Sequence, residues 1–296
     1  MADVPREIDA AMRRRMLRDL DLRERRLDVD GIDTSLLEGG VGPPVVLLHG
    51  GIECGGAMWA PVVSSLAERH RLVVADVPGL GESAPAARLD QNTFDAWFAG
   101  LLRLTCPPTA AVVAHSLLGT LAARFAARHG DVLQHLVVYA APGMGPYHMP
   151  FMLRVVAVRF ALRPTVRNAE RFDRYALFDL DATRRRDDEW FTAFVGYTLA
   201  RAQIRHVKAT MRQLIKTGTR QVPDDELRSI GVPVDLLWGR HDRMVSSHLG
   251  AEASARLGWP LHIIDGAAHA PHLEQPETFV STLLDIIQTA DIERNT

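Results

Sequence analysis

Three polar residues in distant parts of the chain have types that together could perform nucleophilic chemistry. Ser116, Asp242 and His269 occur in this order within 296 residues. A serine hydroxyl is a poor nucleophile until a base takes its proton, and that base needs an acid to orient it. Each of the three follows a short apolar segment of the type that forms a buried strand. We therefore predict a Ser–His–Asp triad, with Ser116 as nucleophile, His269 as base and Asp242 as the orienting acid.

The surroundings of Ser116 fit a sharp strand-to-helix turn only in part. Such a turn exposes the serine hydroxyl and needs small residues nearby, because the strand and helix backbones pass closely. Ala114 supplies the first small residue, but Leu118 occupies the second position, and a glycine follows one residue later at Gly119. We expect a widened or shifted turn with Leu118 in the apolar helix–sheet interface. Taken alone, Ser116 could instead be an ordinary helix cap.

The elements that must position these residues alternate between strand and helix. After a helix and an antiparallel hairpin broken by Gly31, apolar runs predict a series of buried strands separated by helical patterns. The predicted strands are 45–48, 72–75, 111–114, 136–139, 234–238 and 261–264. Alternation of this kind is typical of right-handed crossovers and a mostly parallel sheet. The sequence therefore predicts an α/β fold.

The alternation stops between residues 143 and 222, where the pattern is helical. We expect this stretch to form a cap over the carboxyl edge of the strands, where open α/β sheets bind ligands. The predicted organisation is an N-terminal helix packed on the core within residues 1–22, a core from residues 23–142 and 223–296, and the helical cap at 143–222. The N-terminal helix, from Pro5 to Leu20, is expected to carry Ile8, Met12 and Met16 on one face.

The inserted stretch is strongly basic. It contains thirteen arginines and two lysines against seven acidic residues, although the whole chain has a formal net charge of -2. The arginines could form a solvated surface that pairs with acids of the core. Alternatively, one or two could face the pocket and bind a carboxylate or phosphate, because the guanidinium holds oxyanions bidentately.

Composition limits the other classes of function. The net charge of -2 gives no general attraction to nucleic acid, and no apolar run approaches the roughly 18 residues that would insert stably in a membrane. Cys54 and Cys106 are predicted to be free thiols, and we expect neither a metal nor a cofactor. The start of the chain lacks the apolar stretch of a signal peptide, so a cytoplasmic protein acting on a small molecule is expected.

Five segments resemble the signature motifs of α/β-hydrolases in the order in which that family presents them. They are His49-Gly50-Gly51, the loop 76–83, Ala114-His115-Ser116, the segment 238–242 and the segment 266–269. The resemblance implies an α/β-hydrolase fold with an oxyanion hole made by the backbone N–H groups of Leu117 and Gly51. The prolines and glycines of the loop 76–83 set turns, so we expect this loop to be structural. We also expect His241 and His272 to be bystanders.

The nucleophile type narrows the reaction that the resemblance implies. Relatives that hydrolyse epoxides or haloalkanes have aspartate where Ser116 stands, so serine indicates acyl chemistry on an ester, lactone or thioester. The pairs Gly50-Gly51 and Gly55-Gly56 also resemble the glycine-rich loop of carbon–carbon bond hydrolases that act on diketone-like substrates. A third alternative, a ligand-binding protein without catalysis, stays open because of Leu118.

Overall fold

The computed structural model describes residues 6–295 of the chain, with the side chains of residues 9–290. Pro5 and the side chain of Ile8, which begin the predicted N-terminal helix, lie outside the described residues. Among the residues that are described, no helix is both long enough and apolar enough to cross a membrane.

Eight strands form one sheet in the order β1-β2-β4-β3-β5-β6-β7-β8. Their bounds are β1 Leu22–Val29, β2 Ile32–Gly39, β3 Pro44–Leu48, β4 Arg71–Ala75, β5 Ala110–His115, β6 Leu133–Tyr139, β7 Val234–Gly239 and β8 Leu261–Ile264. The pairs β1–β2 and β2–β4 are antiparallel, and β3 to β8 are parallel. The prediction of a mostly parallel sheet is therefore confirmed.

Thirteen helices are described around this sheet. Their bounds are α1 Arg6–Met16, α2 Ala60–Ala67, α3 Gln91–Thr105, α4 Ser116–His129, α5 Phe151–Leu162, α6 Val166–Ala176, α7 Leu180–Arg186, α8 Asp188–Ala202, α9 Arg205–Gly218, α10 Asp224–Arg228, α11 Ser247–Leu257, α12 Pro271–Glu274 and α13 Pro276–Asn295. Helices α5 to α10 follow one another between β6 and β7. Six helices thus separate β6 from β7 along the chain.

The burial of the strands explains why their sequences differ. Every residue of β5 is buried, in keeping with its continuous apolar run, because helices cover both faces of a parallel sheet. Strand β1 is largely exposed and reads as charged residues between apolar ones. The hairpin turn that joins β1 to β2 places Asp30 and Gly31 at φ values of 50° and 79°. Left-handed conformation at both positions is what a two-residue hairpin turn requires.

Helix α1 packs against α8 of the inserted stretch. Met12 packs against Gly196, where an added Cβ would lie 3.2 Å from Met12 Sδ. Asp9 forms an ion pair with Arg201 at 3.5 Å. Its contact with the sheet region runs through Arg13, which lies 3.8 Å from the buried carboxylate of Asp76. Helix α1 therefore packs mainly on α8 and reaches the sheet region through Arg13.

Candidate active site

The parallel strands bring the three predicted catalytic residues to one edge of the sheet. Ser116 follows the last residue of β5, Asp242 lies in the loop after β7, and His269 lies in the loop after β8. Carboxyl ends of parallel strands meet at the same edge, and this is where open α/β sheets place their ligands.

Ser116 adopts a φ of 51° at the first position of α4. A residue other than glycine rarely takes a positive φ, and such strain is concentrated at functional sites. A Cβ added to Gly119 would lie 2.7 Å from the Ala114 carbonyl oxygen and 2.8 Å from Ala141 Cβ. The close approach of helix and strand thus falls on Gly119, while Leu118 is fully buried in the hydrophobic core, as expected.

The side chains of the three residues form a continuous chain of hydrogen bonds. His269 Nε2 lies 3.0 Å from Ser116 Oγ, and His269 Nδ1 lies 2.8 Å from Asp242 Oδ2. Each of the three residues is 6% exposed. A base between a hydroxyl and a carboxylate, at these distances and shielded from bulk water, is the arrangement that activates a serine nucleophile.

Backbone donors hold the Asp242 carboxylate in place. Its Oδ1 accepts hydrogen bonds from the N–H groups of Met244 at 2.8 Å and Val245 at 2.9 Å. The loop that carries His269 is held in a similar way, because Glu274 Oε2 accepts from the Ala268 N–H at 2.7 Å. Buried carboxylates that bond to the backbone therefore fix both the loop of Asp242 and the loop of His269.

His115 packs beside the three residues, and the sequence motif that contains it gave it no role of its own. Its Nε2 lies 2.9 Å from the carbonyl oxygen of His269, and its ring stacks on Tyr139 with centroids 4.2 Å apart. Burial lowers the pKa of His115 well below its ordinary value. The ring is therefore neutral, and it must carry its proton on Nε2, because a carbonyl oxygen only accepts. The only available signal was its position directly before Ser116.

The proposed oxyanion donors lie next to each other beside Ser116. Gly51 has a φ of 78°, and a Cβ at this position would lie 3.1 Å from Leu117 Cδ1. The Leu117 N–H belongs to the first turn of α4, where backbone N–H groups have no partner within the helix. Both residues line the same cavity as Ser116.

The imidazole of His49 lies against the backbone amides of Gly51 and Val77. The Gly51 N–H lies 3.3 Å from His49 Nδ1, and the Val77 N–H lies 3.2 Å from His49 Nε2. Burial lowers the pKa of His49 to about 3, so its ring is neutral and can accept at one nitrogen only. His49 therefore accepts either from the Gly51 N–H or from the Val77 N–H, and not from both.

A cavity of about 620 Å³ opens beside the triad. Its walls come from the loop after β3, from the residues around Ser116 and His269, and from helices α5, α6, α8 and α9 of the insertion. Most of the lining side chains are apolar. Such a cavity, with a few polar groups near a nucleophile, fits a small and largely apolar substrate.

The inserted stretch, residues 143–222, is also hydrogen-bonded to the loops that carry Asp242 and His269. The Ala176 carbonyl oxygen accepts from the His269 N–H at 3.0 Å. The Arg243 guanidinium, one residue after Asp242, donates to the Leu177 carbonyl oxygen at 2.7 Å. The end of α6 therefore bridges the loops that carry the acid and the base, which sequence patterns did not indicate.

The basic residues of the insertion lie mostly away from the cavity. Arg174, for example, pairs with Glu170 at 3.0 Å and with Asp181 at 3.1 Å. Among the described residues of the insertion, the basic side chains that line the cavity are Lys208 and the exposed Arg212. The solvated-surface interpretation thus applies to most of the arginines.

The two histidines expected to be bystanders have other contacts. His272 is fully buried, its Nδ1 lies 3.0 Å from the Tyr139 hydroxyl, and burial lowers its pKa to about 3. The ring of His241 stacks on Phe178 with centroids 4.2 Å apart.

Comparison with known proteins identifies the family. A profile described as the alpha/beta hydrolase family matches residues 45–282. The chain belongs to this family. Among solved structures, the hydrolase resembles naproxen esterase (carboxylesterase NP) from Bacillus subtilis with a TM-score of 0.78 and 17% identity, covering 95% of this chain and 97% of that one. The resemblance stated from the sequence motifs is therefore confirmed.

Two relatives match most of the chain. The pimeloyl-[acyl-carrier protein] methyl ester esterase of Vibrio atlanticus is 29% identical over 265 residues, which cover 84% of this chain and 96% of the relative. The 2-hydroxy-6-oxo-6-(2'-aminophenyl)hexa-2,4-dienoic acid hydrolase of Metapseudomonas resinovorans is 25% identical over 284 residues, which cover 92% and 93%.

Proposed function

We propose that this hydrolase cleaves carboxylic ester-type acyl bonds, in an ester, lactone or thioester, of a small and largely apolar substrate. The observation that carries the proposal is the His269 ring, which lies 3.0 Å from Ser116 Oγ and 2.8 Å from Asp242 Oδ2. The methyl ester esterases among the relatives support the same reaction class.

The reaction begins when His269 Nε2 takes the proton of Ser116 as the serine oxygen attacks the substrate carbonyl carbon. The resulting imidazolium is stabilised by the buried Asp242 carboxylate. The oxyanion accepts hydrogen bonds from the backbone N–H groups of Leu117 and Gly51, and each such donor is worth about 3–4 kcal/mol of barrier.

Collapse of this intermediate expels the alcohol or thiol, which takes its proton from His269, and leaves an acyl-enzyme on Ser116. Water then attacks the acyl carbon with His269 again acting as base, and the acid is released. In this proposal residues 143–222 act as the cap, residues 23–142 and 223–296 form the core, and the N-terminal helix within residues 1–22 packs on the core.

A fluorophosphonate probe and a panel of esters test the proposal. Ser116 should be labelled by the probe, and Ser116→Ala should lower kcat for any hydrolysed ester by about 10⁴-fold or more. Ser65→Ala, at an exposed position of α2, is the matched control and should keep wild-type labelling and turnover. A folded Ser116→Ala variant with more than about a tenth of wild-type turnover would show that the nucleophile is another residue.

Carbon–carbon bond hydrolysis is the second candidate, and the relative from Metapseudomonas resinovorans favours it. The glycine pattern that suggested it gives less support, because a Cβ on Gly55 would meet Asp76 Oδ1 at 2.2 Å, so this glycine packs on a buried carboxylate. Turnover of a 2-hydroxy-6-oxo-dienoate at a higher kcat/KM than any ester would favour this candidate. A chain that neither reacts with the probe nor hydrolyses either substrate class would be a ligand-binding member of the family.

A further inference from the structure

Helix α5 carries apolar side chains on two opposite sides. Its inner side has the buried residues Leu153, Val156 and Phe160. Its outer side has a second apolar stripe, with the spacing of three and four positions that shares one helix face: Phe151, Val155, Val158 and Leu162. Phe151 is 75% exposed and Leu162 is 76% exposed. A helix that is apolar on all sides is normally buried, so the outer stripe needs a reason.

Exposed apolar side chains are concentrated on this helix and beside it. Among the described residues, nine large apolar side chains are exposed, and five of them lie within residues 151–166. A sixth is Ile215 on α9. Single exposed apolar residues are ordinary on a protein surface, whereas a cluster indicates a surface that contacts a partner or a membrane.

The cavity opens to solvent at the same place. Most of the residues that line the cavity are buried or half-buried, and those that are exposed border its mouth. The exposed lining residues are Val158, Ala161 and Leu162 on α5 and Arg212 and Ile215 on α9. Apolar side chains of α5 therefore form one border of the mouth.

Arginines accompany the apolar stripe. Residues 151–167 contain four arginines and no acidic residue, namely Arg154, Arg159, Arg163 and Arg167. None of the four forms an ion pair with any residue that the structure describes. Elsewhere in the insertion, by contrast, Arg174, Arg186 and Arg201 pair with acids. We call the exposed side chains of residues 151–167 the α5 face; it combines apolar contact area with unneutralised positive charge.

The arginines of α5 flank the stripe. At 100° per residue, Arg154 and Arg159 lie on either side of the line from Phe151 to Leu162. An arginine can lay its stem along apolar surface while its guanidinium reaches a polar layer. The α5 face therefore has the arrangement of a helix that lies in the plane of a membrane interface.

We propose that the α5 face docks reversibly on an anionic lipid bilayer, with the mouth of the cavity against the lipid. The exposed apolar side chains enter the boundary between head groups and acyl chains, and the arginines contact the anionic head groups. This docking is independent of the proposed ester hydrolysis. If both hold, an apolar ester dissolved in the bilayer enters the cavity without crossing water.

The chemistry of the α5 face favours lipid over a protein partner. Helix α5 consists of apolar residues and arginine alone, so its side chains offer no hydrogen-bond acceptor. A protein interface carries about one hydrogen bond per 100–200 Å² and uses polar groups of both kinds. A second copy of the same face would bring unpaired arginines against each other, whereas anionic head groups complement them at every point of the contact.

Vesicle binding by the Ser116→Ala variant tests the proposal without any turnover. Sedimentation of sucrose-loaded vesicles compares pure phosphatidylcholine with phosphatidylcholine that contains about 30 mol% phosphatidylserine. Partitioning onto the anionic vesicles should be at least about tenfold stronger, because anionic head groups attract each nearby arginine. It should weaken between about 0.05 and about 0.5 M salt, because the screening length shortens.

Apolar variants locate the contact. In the Ser116→Ala background, Phe151→Gln/Leu162→Gln should weaken partitioning onto the anionic vesicles by about tenfold or more, since two large apolar side chains no longer enter the interface. The matched control is Val41→Gln/Leu104→Gln, which changes two exposed apolar residues outside the insertion. The control should keep partitioning within about twofold.

Charge variants locate the lipid preference. Arg154→Gln/Arg159→Gln should reduce the ratio of anionic to neutral partitioning by about tenfold. The matched control is Arg88→Gln/Arg103→Gln, which removes the same charge from exposed arginines that pair with Asp90 and Asp30. The control should keep most of the ratio.

Several results would overturn the proposal. It is wrong if Ser116→Ala binds neither vesicle or binds both equally, or if the α5 variants partition like their controls. Absence of vesicle binding together with a dimer that Phe151→Gln/Leu162→Gln dissociates would assign the α5 face to a second copy. Absence of vesicle binding together with arginine-dependent binding of poly-L-glutamate would assign it to an acidic protein. Because this test needs no turnover, a wild-type chain without ester hydrolysis would reject the esterase proposal alone.

Discussion

Replacing Asp242 with asparagine tests how the triad works, because the change alters one hydrogen bond and keeps two others. The amide oxygen of asparagine can still accept from the N–H groups of Met244 and Val245, as Asp242 Oδ1 does. Its NH₂ group then faces His269 Nδ1, where the carboxylate oxygen lay 2.8 Å away. This forces the imidazole to carry its proton on Nε2, directed at Ser116 Oγ, where it cannot accept the serine proton.

The expected loss follows from this change of tautomer. With the base unable to take the proton and no carboxylate to stabilise the imidazolium, kcat should fall by about 10⁴-fold. A loss of that size corresponds to about 5.5 kcal/mol of barrier. The free energy of unfolding should fall far less, by no more than about 1–2 kcal/mol, because one charge-assisted bond is exchanged for a neutral one.

The assay is the kcat of purified Asp242→Asn for one hydrolysed ester, with urea unfolding to measure stability. Asp235→Asn is the matched control, because Asp235 bonds His135 and His262 at 2.7 Å each and lies near the start of β7, away from Ser116. The control should keep kcat within about twofold, since distant sites act independently. Asp242→Asn that folds and keeps more than about a tenth of wild-type kcat would refute the tautomer argument.

Two further predictions concern stability. Leu118→Ala should lower the free energy of unfolding, measured in urea, by about 2–5 kcal/mol, because the side chain is fully buried. The control Leu104→Ala, at a position that is 46% exposed, should change the free energy of unfolding by less than about 0.5 kcal/mol. Equal effects of the two changes would contradict the burial argument. Burial raises the pKa of Asp173 to about 7. Between the pKa of the unfolded chain and about pH 7, the Asp173 carboxyl is therefore protonated in the folded state and ionised in the unfolded state. The stability that this protonation contributes is lost as pH rises. Asp173→Asn should remove this effect and make stability fall more steeply toward acid, by up to about 1.4 kcal/mol per pH unit, whereas an unchanged slope would show that Asp173 is not buried in this way.

Much of the fold could be predicted from the sequence, because local patterns determine it. Strand β8 has the predicted bounds of 261–264, and the other parallel strands differ from prediction by a few residues at their ends. The three predicted catalytic residues come together because each follows a parallel strand, so topology alone carries them to one edge. The position of Gly31 likewise predicted the hairpin, since the turn needs residues with positive φ.

Contacts between distant segments could not be predicted in the same way. The bond from His115 Nε2 to the His269 carbonyl oxygen joins residues 154 positions apart, and the bond from the His269 N–H to the Ala176 carbonyl oxygen depends on where α6 ends. No sequence period or residue spacing predicts either bond. They arise from tertiary packing.

The charged side chains that line the cavity show that the composition of a segment need not match the chemistry of the site that it lines. The insertion is rich in arginine, yet α6 turns Asp173 toward the cavity and pairs Arg174 with acids on its outer side. Residues three and four positions apart share a helix face, so the side of α6 that carries Ala169 and Ala176 determines which charge enters. Because that apolar side packs against the cavity, Asp173 lines the cavity regardless of the total charge of α6. The rotation of α6 about its own axis thus determines which of its charged side chains a substrate meets.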